Sequence, residues 1–412
     1  MSETLVHGKR GTEHQENIDR RVVDPSFSCF LESTALQVAP FGQKFNDYRP
    51  SSDYSRFLMP PRAFKRRPAM ALCTRFWHGC QFKNPDKSIE KRGTIQSLTC
   101  TPSGLYFITG LGNGRLVLWS STTGKYEWVG QKHGSPQEPN SNVLSQRWFR
   151  SKHILLSGDD KGSISMHHAT LETFWTNKNY LRSYSGMVSD FAVPPGDDRF
   201  VSICDRQLVL WTYNRGDFMP EVIGSNGFSA NSCDWHGSLS LLASACDDGN
   251  VSLWDTRTPA LLRSFSAHPR YISRVRFHPT DDKRLITSCQ DYSMKLWDVR
   301  NLKTCVKTYQ HKQGVTTFGI HPHARNVMVS GDQEGSLYWW SLDDDTKPMA
   351  YLPYVHNAKV TDIAFHPSGC IVGTGSTDRK LRLWTRNRCG DPQNVHVPPR
   401  LRHKGYNFTN HR

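Results

Sequence analysis

One pattern recurs seven times between residues 94 and 384, and this periodicity limits the fold more than any other feature of the chain. A complete unit has an apolar run, a break with His or Gly, a second run followed by an Asp, and a short run that closes on Trp. A period near 43 residues is typical of a small β-sheet repeated around an axis. The clearest copies read SACDDGNVSLWDTR, TSCQDYSMKLWDVR, VSGDQEGSLYWWSL and GTGSTDRKLRLWTR, with closing tryptophans 43, 43 and 44 residues apart.

The same interval extends the pattern toward the N-terminus. It leads from Trp254 back to Trp211, then to the neighbourhood of Met166, and finally to Trp119. The chain therefore has seven predicted units, of which the second is expected to have lost its tryptophan. The closing tryptophans are Trp119, Trp211, Trp254, Trp297, Trp340 and Trp384.

The repeated closing Trp-Asp makes the sequence resemble the WD-repeat proteins, which implies one four-stranded blade per unit. Runs such as VSLW, LITSC and RLRLW contain the β-branched and large apolar side chains that suit a packed sheet. We therefore expect an all-β fold, a seven-bladed WD-repeat β-propeller over residues 73–386. An irregular, basic, Pro-rich N-terminal arm (1–72) precedes it, and a basic C-terminal tail (387–412) follows. Residues 73–82 have the length and apolar content to supply the outermost strand of the last blade.

An acidic residue recurs in the turn before most closing runs, and we interpret it as structural. A carboxylate there can accept hydrogen bonds from turn N–H groups and from a His at the preceding break, such as His268, His311 or His356. An active site occurs once in a chain, whereas these pairs recur in several blades, so the repetition argues against catalysis. The residues are Asp160, Asp205, Asp248, Asp291, Asp332 and Asp378.

Neither catalysis nor a cofactor is indicated elsewhere. The chain contains no nucleophile elbow, P-loop, dinucleotide-binding fingerprint or HExxH sequence. Its 11 cysteines include no CxxC pair, which disfavours both a zinc site and a disulfide framework and indicates a reducing compartment. No run approaches the roughly 18 consecutive apolar residues of a membrane helix. We predict a protein that is not an enzyme, binds no metal ion or cofactor, and does not associate with membranes.

Positive charge is concentrated in the two flanks. The formal net charge is +15, of which residues 1–92 carry +6 (16 basic against 10 acidic) and residues 386–412 carry +5 (6 against 1). Such flanks attract polyanions, among which RNA, DNA and acidic protein surfaces are common. Two clusters in the arm, Lys9-Arg10 and Arg20-Arg21, are also consistent with a solvated tail or a nuclear import signal.

Two stretches in the last blades extend the resemblance to a narrower family. LWDVRNLKTCVKTYQHKQGVTTFGIHP (296–322) and LWTRNRCGD (383–391) are similar to the WD-repeat subunit of the cleavage and polyadenylation specificity factor, the family called polyadenylation factor subunit 2 in fungi. Upstream, GKR (8–10), RRVVD (20–24) and MPP (59–61) follow the order of that family's basic arm, its following segment and its linker.

This resemblance implies a non-catalytic nuclear subunit that acts in pre-mRNA 3′ end processing and helps to recognise the polyadenylation signal. It implies three partners: the pre-mRNA itself, a large multi-propeller scaffold subunit and a zinc-finger subunit. In relatives, the basic arm and the zinc-finger subunit clamp the hexanucleotide AAUAAA, so this chain is expected to bind RNA and not to cut it.

Matching the family's motif residue by residue yields candidate RNA-binding positions. Tyr126, expected in the loop after the first closing strand, matches an aromatic residue that stacks on bases, and His7 matches its partner ring. Each base stacked on such a ring gains about 1 to 3 kcal/mol. The basic candidates are Lys9, Arg10, Arg20 and Arg21 in the arm, and Lys91 and Arg92 just before the first blade.

A generic WD-repeat adaptor is the alternative function, for example a ubiquitin-ligase substrate receptor or a chromatin reader that holds a peptide on one face of the ring. Co-purifying proteins would separate the two, since the first function predicts 3′ processing subunits and the second a cullin adaptor.

Overall fold

The computed structural model describes residues 77–83, 93–121, 126–130, 133, 141–149, 154–168, 176–182, 186–194, 199–214, 217–343, 346–369 and 371–386. Every regular element among them is a β-strand, and these residues include no helix able to cross a membrane. The strands form seven four-stranded antiparallel sheets, which confirms the seven-bladed propeller.

The first strand, β1 (Trp77–Lys83), precedes the blades, and blades 1 to 4 then follow in chain order. Blade 1 comprises β2 (Ile95–Cys100), β3 (Tyr106–Leu111), β4 (Leu116–Ser120) and β5 (Tyr126–Val129). Blade 2 comprises β6 (Val143–Phe149), β7 (Ile154–Asp159), β8 (Ser163–His168) and β9 (Thr176–Arg182). Blade 3 comprises β10 (Val188–Ala192), β11 (Arg199–Cys204), β12 (Gln207–Asn214) and β13 (Asp217–Ser225). Blade 4 comprises β14 (Ala230–Trp235), β15 (Leu241–Cys246), β16 (Asn250–Asp255) and β17 (Ala260–Ser266).

The remaining strands form blades 5 to 7. Blade 5 comprises β18 (Ile272–Phe277), β19 (Arg284–Cys289), β20 (Ser293–Asp298) and β21 (Lys307–Gln310). Blade 6 comprises β22 (Val315–Ile320), β23 (Val327–Asp332), β24 (Leu337–Ser341) and β25 (Ala350–Leu352). Blade 7 contains only three strands from this part of the chain, β26 (Val360–Phe365), β27 (Ile371–Ser376) and β28 (Lys380–Arg386).

The strand β1 completes blade 7 and closes the ring. It pairs antiparallel with β28, from Trp77 opposite Arg386 to Lys83 opposite Lys380. Of the segment expected from the sequence, 73–82, residues 77–82 lie in this strand and residues 73–76 lie outside the described residues. Because both ends of the propeller share one sheet, neither end can detach without opening the ring.

Among the residues that the structure describes, the hydrophobic core forms seven clusters, one at each junction between neighbouring blades. The cluster that joins blades 7 and 1 packs Ile371 and Leu383 against Phe107 and Trp119. The second strand of each blade is buried on both sides, which explains why its middle positions hold apolar and small residues on both faces. A single sheet of this size buries too little apolar surface alone, so the ring is the stable unit.

The ring has two faces, named here by their connections. The turn face is formed by the turns between the second and third strands of each blade and by the loops that enter each first strand. The loop face, on the opposite side, is formed by the remaining connections.

Candidate functional site

Blade 5 contains a complete chain of buried hydrogen bonds, which we call a latch. Trp297 Nε1 donates to Thr287 Oγ1 over 3.0 Å, and Thr287 Oγ1 lies 2.8 Å from His268 Nε2. His268 Nδ1 lies 2.9 Å from Asp291 Oδ2. The chain joins the third strand, the second strand, the entering loop and the turn of one blade. Blade 7 repeats it with Trp384, Thr374, His356 and Asp378.

Protonation in the blade 5 latch follows from burial and pairing. Burial lowers the pKa of His268, although Asp291 opposes this, so the imidazole is neutral at pH 7. Burial also opposes ionisation of Asp291, but hydrogen bonds from His268 and Ser293 outweigh it and hold its pKa well below the usual range. The neutral ring therefore donates Nδ1–H to the carboxylate and accepts the Thr287 hydroxyl at Nε2. No group in this chain of hydrogen bonds is left free for acid–base catalysis.

The same latch lies within the one group of potential metal ligands found among the described residues, formed by His268, Cys289 and Asp291. Both ring nitrogens of His268 are already hydrogen-bonded. Burial raises the pKa of Cys289 to about 12, so its thiol stays protonated and is a poor ligand or nucleophile at pH 7. The group is structural.

The latches also connect neighbouring blades. The backbone N–H of His268, at the entry to blade 5, donates to the carbonyl of Gly249 in the turn of blade 4 over 3.0 Å. Each latch therefore ties its own blade to the preceding one. The equivalent bonds run from His133 to Gly114, Asn226 to Arg206, His311 to Tyr292 and His356 to Gly335, with lengths of 2.6, 2.8, 2.8 and 3.0 Å.

In blade 2 the prediction that Asp160 is the latch residue is wrong. His133 Nδ1 lies 3.0 Å from Asp159 Oδ2, and the other Asp159 oxygen accepts from two backbone N–H groups of the turn. Asp160 instead accepts from the backbone and side chain of Asn142. The turn directs the Asp159 carboxylate inward and the Asp160 carboxylate toward the entering loop.

Blade 2 has indeed lost its tryptophan, and the residue in its place is His167, in the expected neighbourhood of Met166. His167 Nε2 lies 2.9 Å from Ser157 Oγ, ten residues earlier, and the side chain is buried. In blade 5, Trp297 and Thr287 are also ten residues apart and are joined by the corresponding side-chain hydrogen bond. A shorter aromatic ring thus preserves the hydrogen bond of this position.

Three other blades depart from the complete latch. In blade 6, His311 bonds Ser330, but the predicted pairing of His311 with Asp332 is wrong, since that carboxylate accepts from the turn and from Tyr338. In blade 4, Asp248 accepts from Asn250, and Asn226 takes the place of the His. In blade 3, Asp205 lies in the turn with a φ of 54° and Trp211 donates to Ser202.

A charged network lines the inner strands. Arg276 in blade 5 lies 2.9 Å from Asp190 in blade 3, and Arg147 in blade 2 lies 3.3 Å from Asp234 in blade 4. Burial opposes ionisation of Asp190, but Arg276 and Arg147 outweigh it and keep its pKa below the usual value. These pairs join blades that are not neighbours. Each of these four charged side chains has an oppositely charged partner within the network.

The turn face has a position that repeats around the ring. In six blades the residue five positions before the closing aromatic residue has a positive φ. Four of these residues are glycines, in blades 1, 2, 4 and 6 (Gly114, Gly162, Gly249 and Gly335). Blade 5 has Tyr292 there, with a φ of 69°, and blade 7 has Arg379, with a φ of 66°. A side chain in this left-handed conformation costs roughly 1 to 2 kcal/mol.

The sequence contains the signal for these two residues. Once the repeats are aligned on their closing aromatic residues, Tyr292 and Arg379 replace a glycine. The aspartates of the turns, on which the sequence prediction relied, do not indicate Tyr292 and Arg379.

Most predicted RNA-binding residues lie outside the described residues. These are His7, Lys9, Arg10, Arg20, Arg21, Lys91 and Arg92. Tyr126 is described only by its backbone, which begins the strand β5 and pairs with Trp119. The loop expected for Tyr126 is therefore replaced by the outermost strand of blade 1.

Comparison with known proteins identifies the repeats. The family described as "WD domain, G-beta repeat" matches residues 221–255, 259–298, 303–341 and 349–385. Each match after the first runs from the outer part of one blade to the third strand of the next. The sequence repeat is thus offset by about one strand from the structural blade. The same offset is seen where β1 supplies the fourth strand of blade 7.

Curated relatives extend the similarity beyond the four matched repeats. The chain is 34% identical over 377 residues to polyadenylation factor subunit 2 of Neurospora crassa, covering 83% of this chain and 54% of the relative. The protein of that name in Gibberella zeae is 31% identical, with 84% and 58% covered. That in Candida albicans is 24% identical, with 93% and 73% covered. The chain thus spans just over half the length of the first two relatives.

Proposed function

We propose that this chain, a WD-repeat protein similar over most of its length to fungal polyadenylation factor subunit 2, is a non-catalytic RNA-binding and scaffold subunit of the nuclear pre-mRNA cleavage and polyadenylation complex. The observation that carries the proposal is the similarity to relatives of that name over 83 to 93% of this chain. In this role the ring is a rigid platform, and the basic arm helps to recognise the polyadenylation signal.

Two features of the chain support binding in place of catalysis. The conspicuous His–Asp pairs of blades 5 and 7 are fully hydrogen-bonded within their latches. The flanks carry most of the net charge of +15, and basic segments of this kind neutralise phosphates and release counterions. The expected partners are the pre-mRNA, a large multi-propeller scaffold subunit and a zinc-finger subunit.

Co-purification and RNA binding together test the proposal. The tagged full chain should recover the two protein partners from nuclear extract. The assembled complex should bind an AAUAAA-containing RNA, and Lys9→Ala with Arg10→Ala should weaken binding. Because a phosphate contact to a single strand contributes about 0.7 to the slope of log affinity against log salt, losing two should lower that slope by about 1.4.

A matched control removes the same charge from the loop face. Arg257, whose side chain is 73% exposed, and the exposed Lys303 can both be changed to Ala. The control should bind RNA as the unmodified chain does. Equal affinity of the Lys9/Arg10 variant and the control would refute the role of the arm in recognition. Tyr126→Ala tests the predicted stacking residue in the same assay.

A generic adaptor is the second candidate, and one surface favours it. The outer strand β17 is exposed along nearly all of its length, and Leu261 and Leu262 are 52% and 58% exposed. An open, apolar sheet edge is a common place for a protein strand to add. Recovery of a cullin adaptor without 3′ processing subunits would support this function over the first.

A further inference from the structure

We propose that the turn face of blades 5 to 7 is a second surface that binds single-stranded RNA, in addition to the basic arm; this inference rests on the proposed function. We call this surface the basic turn sector. Its six residues are all exposed: Arg270, Tyr292, Lys312, Tyr354, Lys359 and Arg379.

The first argument is conformational. At Gly249 and Gly335 an added Cβ would collide with the carbonyl group of the entering loop, so glycine is required there. At the equivalent positions Tyr292 and Arg379 retain the positive φ and carry large side chains. The Tyr292 side chain is 43% exposed, so it contributes less to the core than a buried ring would. A strained backbone with an outward ring is typical of residues that act on a ligand.

The second argument is the setting of Tyr292. The carbonyl oxygen of Arg270 accepts from the Cys289 thiol over 3.2 Å, which places Arg270 beside the turn of blade 5. The carbonyl oxygen of Tyr292 accepts from the backbone N–H of His311, so Lys312 follows on the other side. Arg270 and Lys312 therefore belong to the entering loops on the two sides of the turn that holds Tyr292. The Lys312 ammonium itself lies over the Tyr351 ring, 4.4 Å from its centroid.

Blade 7 repeats the combination of rings and cations. The N–H of Thr377 donates to the carbonyl of Lys359 over 3.3 Å, so Lys359 lies beside the turn that holds Arg379. Tyr354 also has a positive φ, of 49°, and its side chain is 42% exposed. Its backbone N–H donates to Ser336 Oγ over 3.1 Å, so Tyr354 lies beside the turn of blade 6, between blades 5 and 7.

The third argument is charge. In the turns and entering loops of blades 5 to 7, four exposed cations face a single exposed acidic residue, Glu334. Glu334 accepts a hydrogen bond from Gln313, and none of the four cations forms an ion pair with another described residue. Asp291 and Asp378 in the same turns are less exposed and are hydrogen-bonded to His268 and His356. The exposed charge of these turns and loops is therefore positive, whereas the turn of blade 4 exposes Asp247.

Single-stranded RNA fits this arrangement better than an acidic peptide does. Every nucleotide offers a planar base that can stack on an exposed ring and a phosphate that can pair with a neighbouring cation. An acidic peptide would use the cations and leave both tyrosine rings unused. The sector thus fits a short run of unpaired nucleotides that crosses the three blades.

Glycine substitution provides a sharp test, because it removes the side chains and relieves the backbone. The full chain carrying Tyr292→Gly and Arg379→Gly should unfold at an equal or higher urea concentration than the unmodified chain. Its affinity for a fluorescein-labelled 15-nucleotide single-stranded RNA, measured by anisotropy, should fall about tenfold, as expected for the loss of one stacked base. The salt slope should fall by about 0.7, because one phosphate contact is lost.

Three companion variants make the result specific. Tyr292→Phe keeps the ring and should bind the RNA as tightly as the unmodified chain does, unlike the double glycine variant. Lys303→Ala, which removes one charge from the loop face, should change neither affinity nor slope. Lys9→Ala with Arg10→Ala reports on the arm and separates failure of this inference from failure of the proposed function.

Each remaining outcome decides against the sector. If the arm variant weakens binding and the double glycine variant does not, the sector is overturned while the proposed function stands. If the unmodified chain and its complex bind no RNA, both fail. If a polyglutamate peptide of equal length binds more tightly than RNA and loses affinity in the double glycine variant, the sector recognises acidic protein and not RNA.

Discussion

The latch of blade 5 allows a quantitative test of what its histidine contributes. Thr287→Val keeps the shape of the fully buried side chain but removes the oxygen that joins Trp297 to His268. Two buried groups, the Trp297 Nε1–H donor and the His268 Nε2 acceptor, then lose their partners. Each unsatisfied group costs about 1 to 3 kcal/mol, so the free energy of unfolding should fall by about 4 kcal/mol.

Blade 1 supplies a matched control. Thr109 is equally buried and accepts from Trp119 Nε1 over 3.0 Å. No histidine bonds Thr109 among the described residues, so Thr109→Val strands the indole donor alone. The expected loss is about 2 kcal/mol, half of that in blade 5.

Urea unfolding of the full chain, followed by tryptophan fluorescence, measures both losses. Combining Trp297→Phe with Thr287→Val removes the stranded donor and should recover part of the blade 5 loss. Equal losses for Thr287→Val and Thr109→Val would refute the reasoning, because the bond to His268 would then contribute nothing.

Three further predictions concern protonation and pairing. Asp159→Ala should destabilise the fold by about 3 kcal/mol and Asp160→Ala by about 1 kcal/mol in urea unfolding. The difference is expected because only Asp159→Ala leaves a buried histidine and two turn N–H groups without their acceptor. Equal losses would contradict the assignment. Burial lowers the pKa of His311, His321 and His366 to about 4. The unfolded chain therefore binds protons that the folded chain does not as the pH falls from 6.5 to 4, and these three groups should lower the free energy of unfolding by up to about 4 kcal/mol per pH unit. His321→Gln should reduce this slope by about 1.4 kcal/mol per pH unit in pH-dependent urea titrations, and an unchanged slope would contradict the reasoning. Arg276→Met leaves the buried Asp190 carboxylate without its partner and should cost about 3 to 5 kcal/mol in thermal or urea unfolding, whereas a neutral outcome would show that Arg147 compensates.

The periodic features of the fold could be predicted from the sequence because they are local. The 43-residue spacing from Trp254 to Trp297 repeats because each blade needs the same four strands and the same closing ring. Each unit specifies its own turn and strands within a few residues. Seven units, and a strand from outside them to close the last blade, follow from counting.

Positions within a turn were harder to predict, since they depend on its exact length. The run GDD offers two adjacent carboxylates, and only the path of the turn determines that Asp159 points inward. Spacing alone leads only to the neighbourhood of Met166, next to His167, because the second unit differs in length from the others. In each case an error of one residue reverses the direction of the side chain.

The sequence by itself determined the repeat, the blade count, the basic flanks and the family resemblance, since each depends on residue types at fixed separations along the chain. Only the tertiary structure decided which side chains meet across the ring, such as Arg276 with Asp190. It also placed Tyr292 and Arg379 on one face, in turns that glycine occupies elsewhere. Such contacts depend on the closure of seven sheets around a common axis, and a period read along the chain contains no information about distances across that axis.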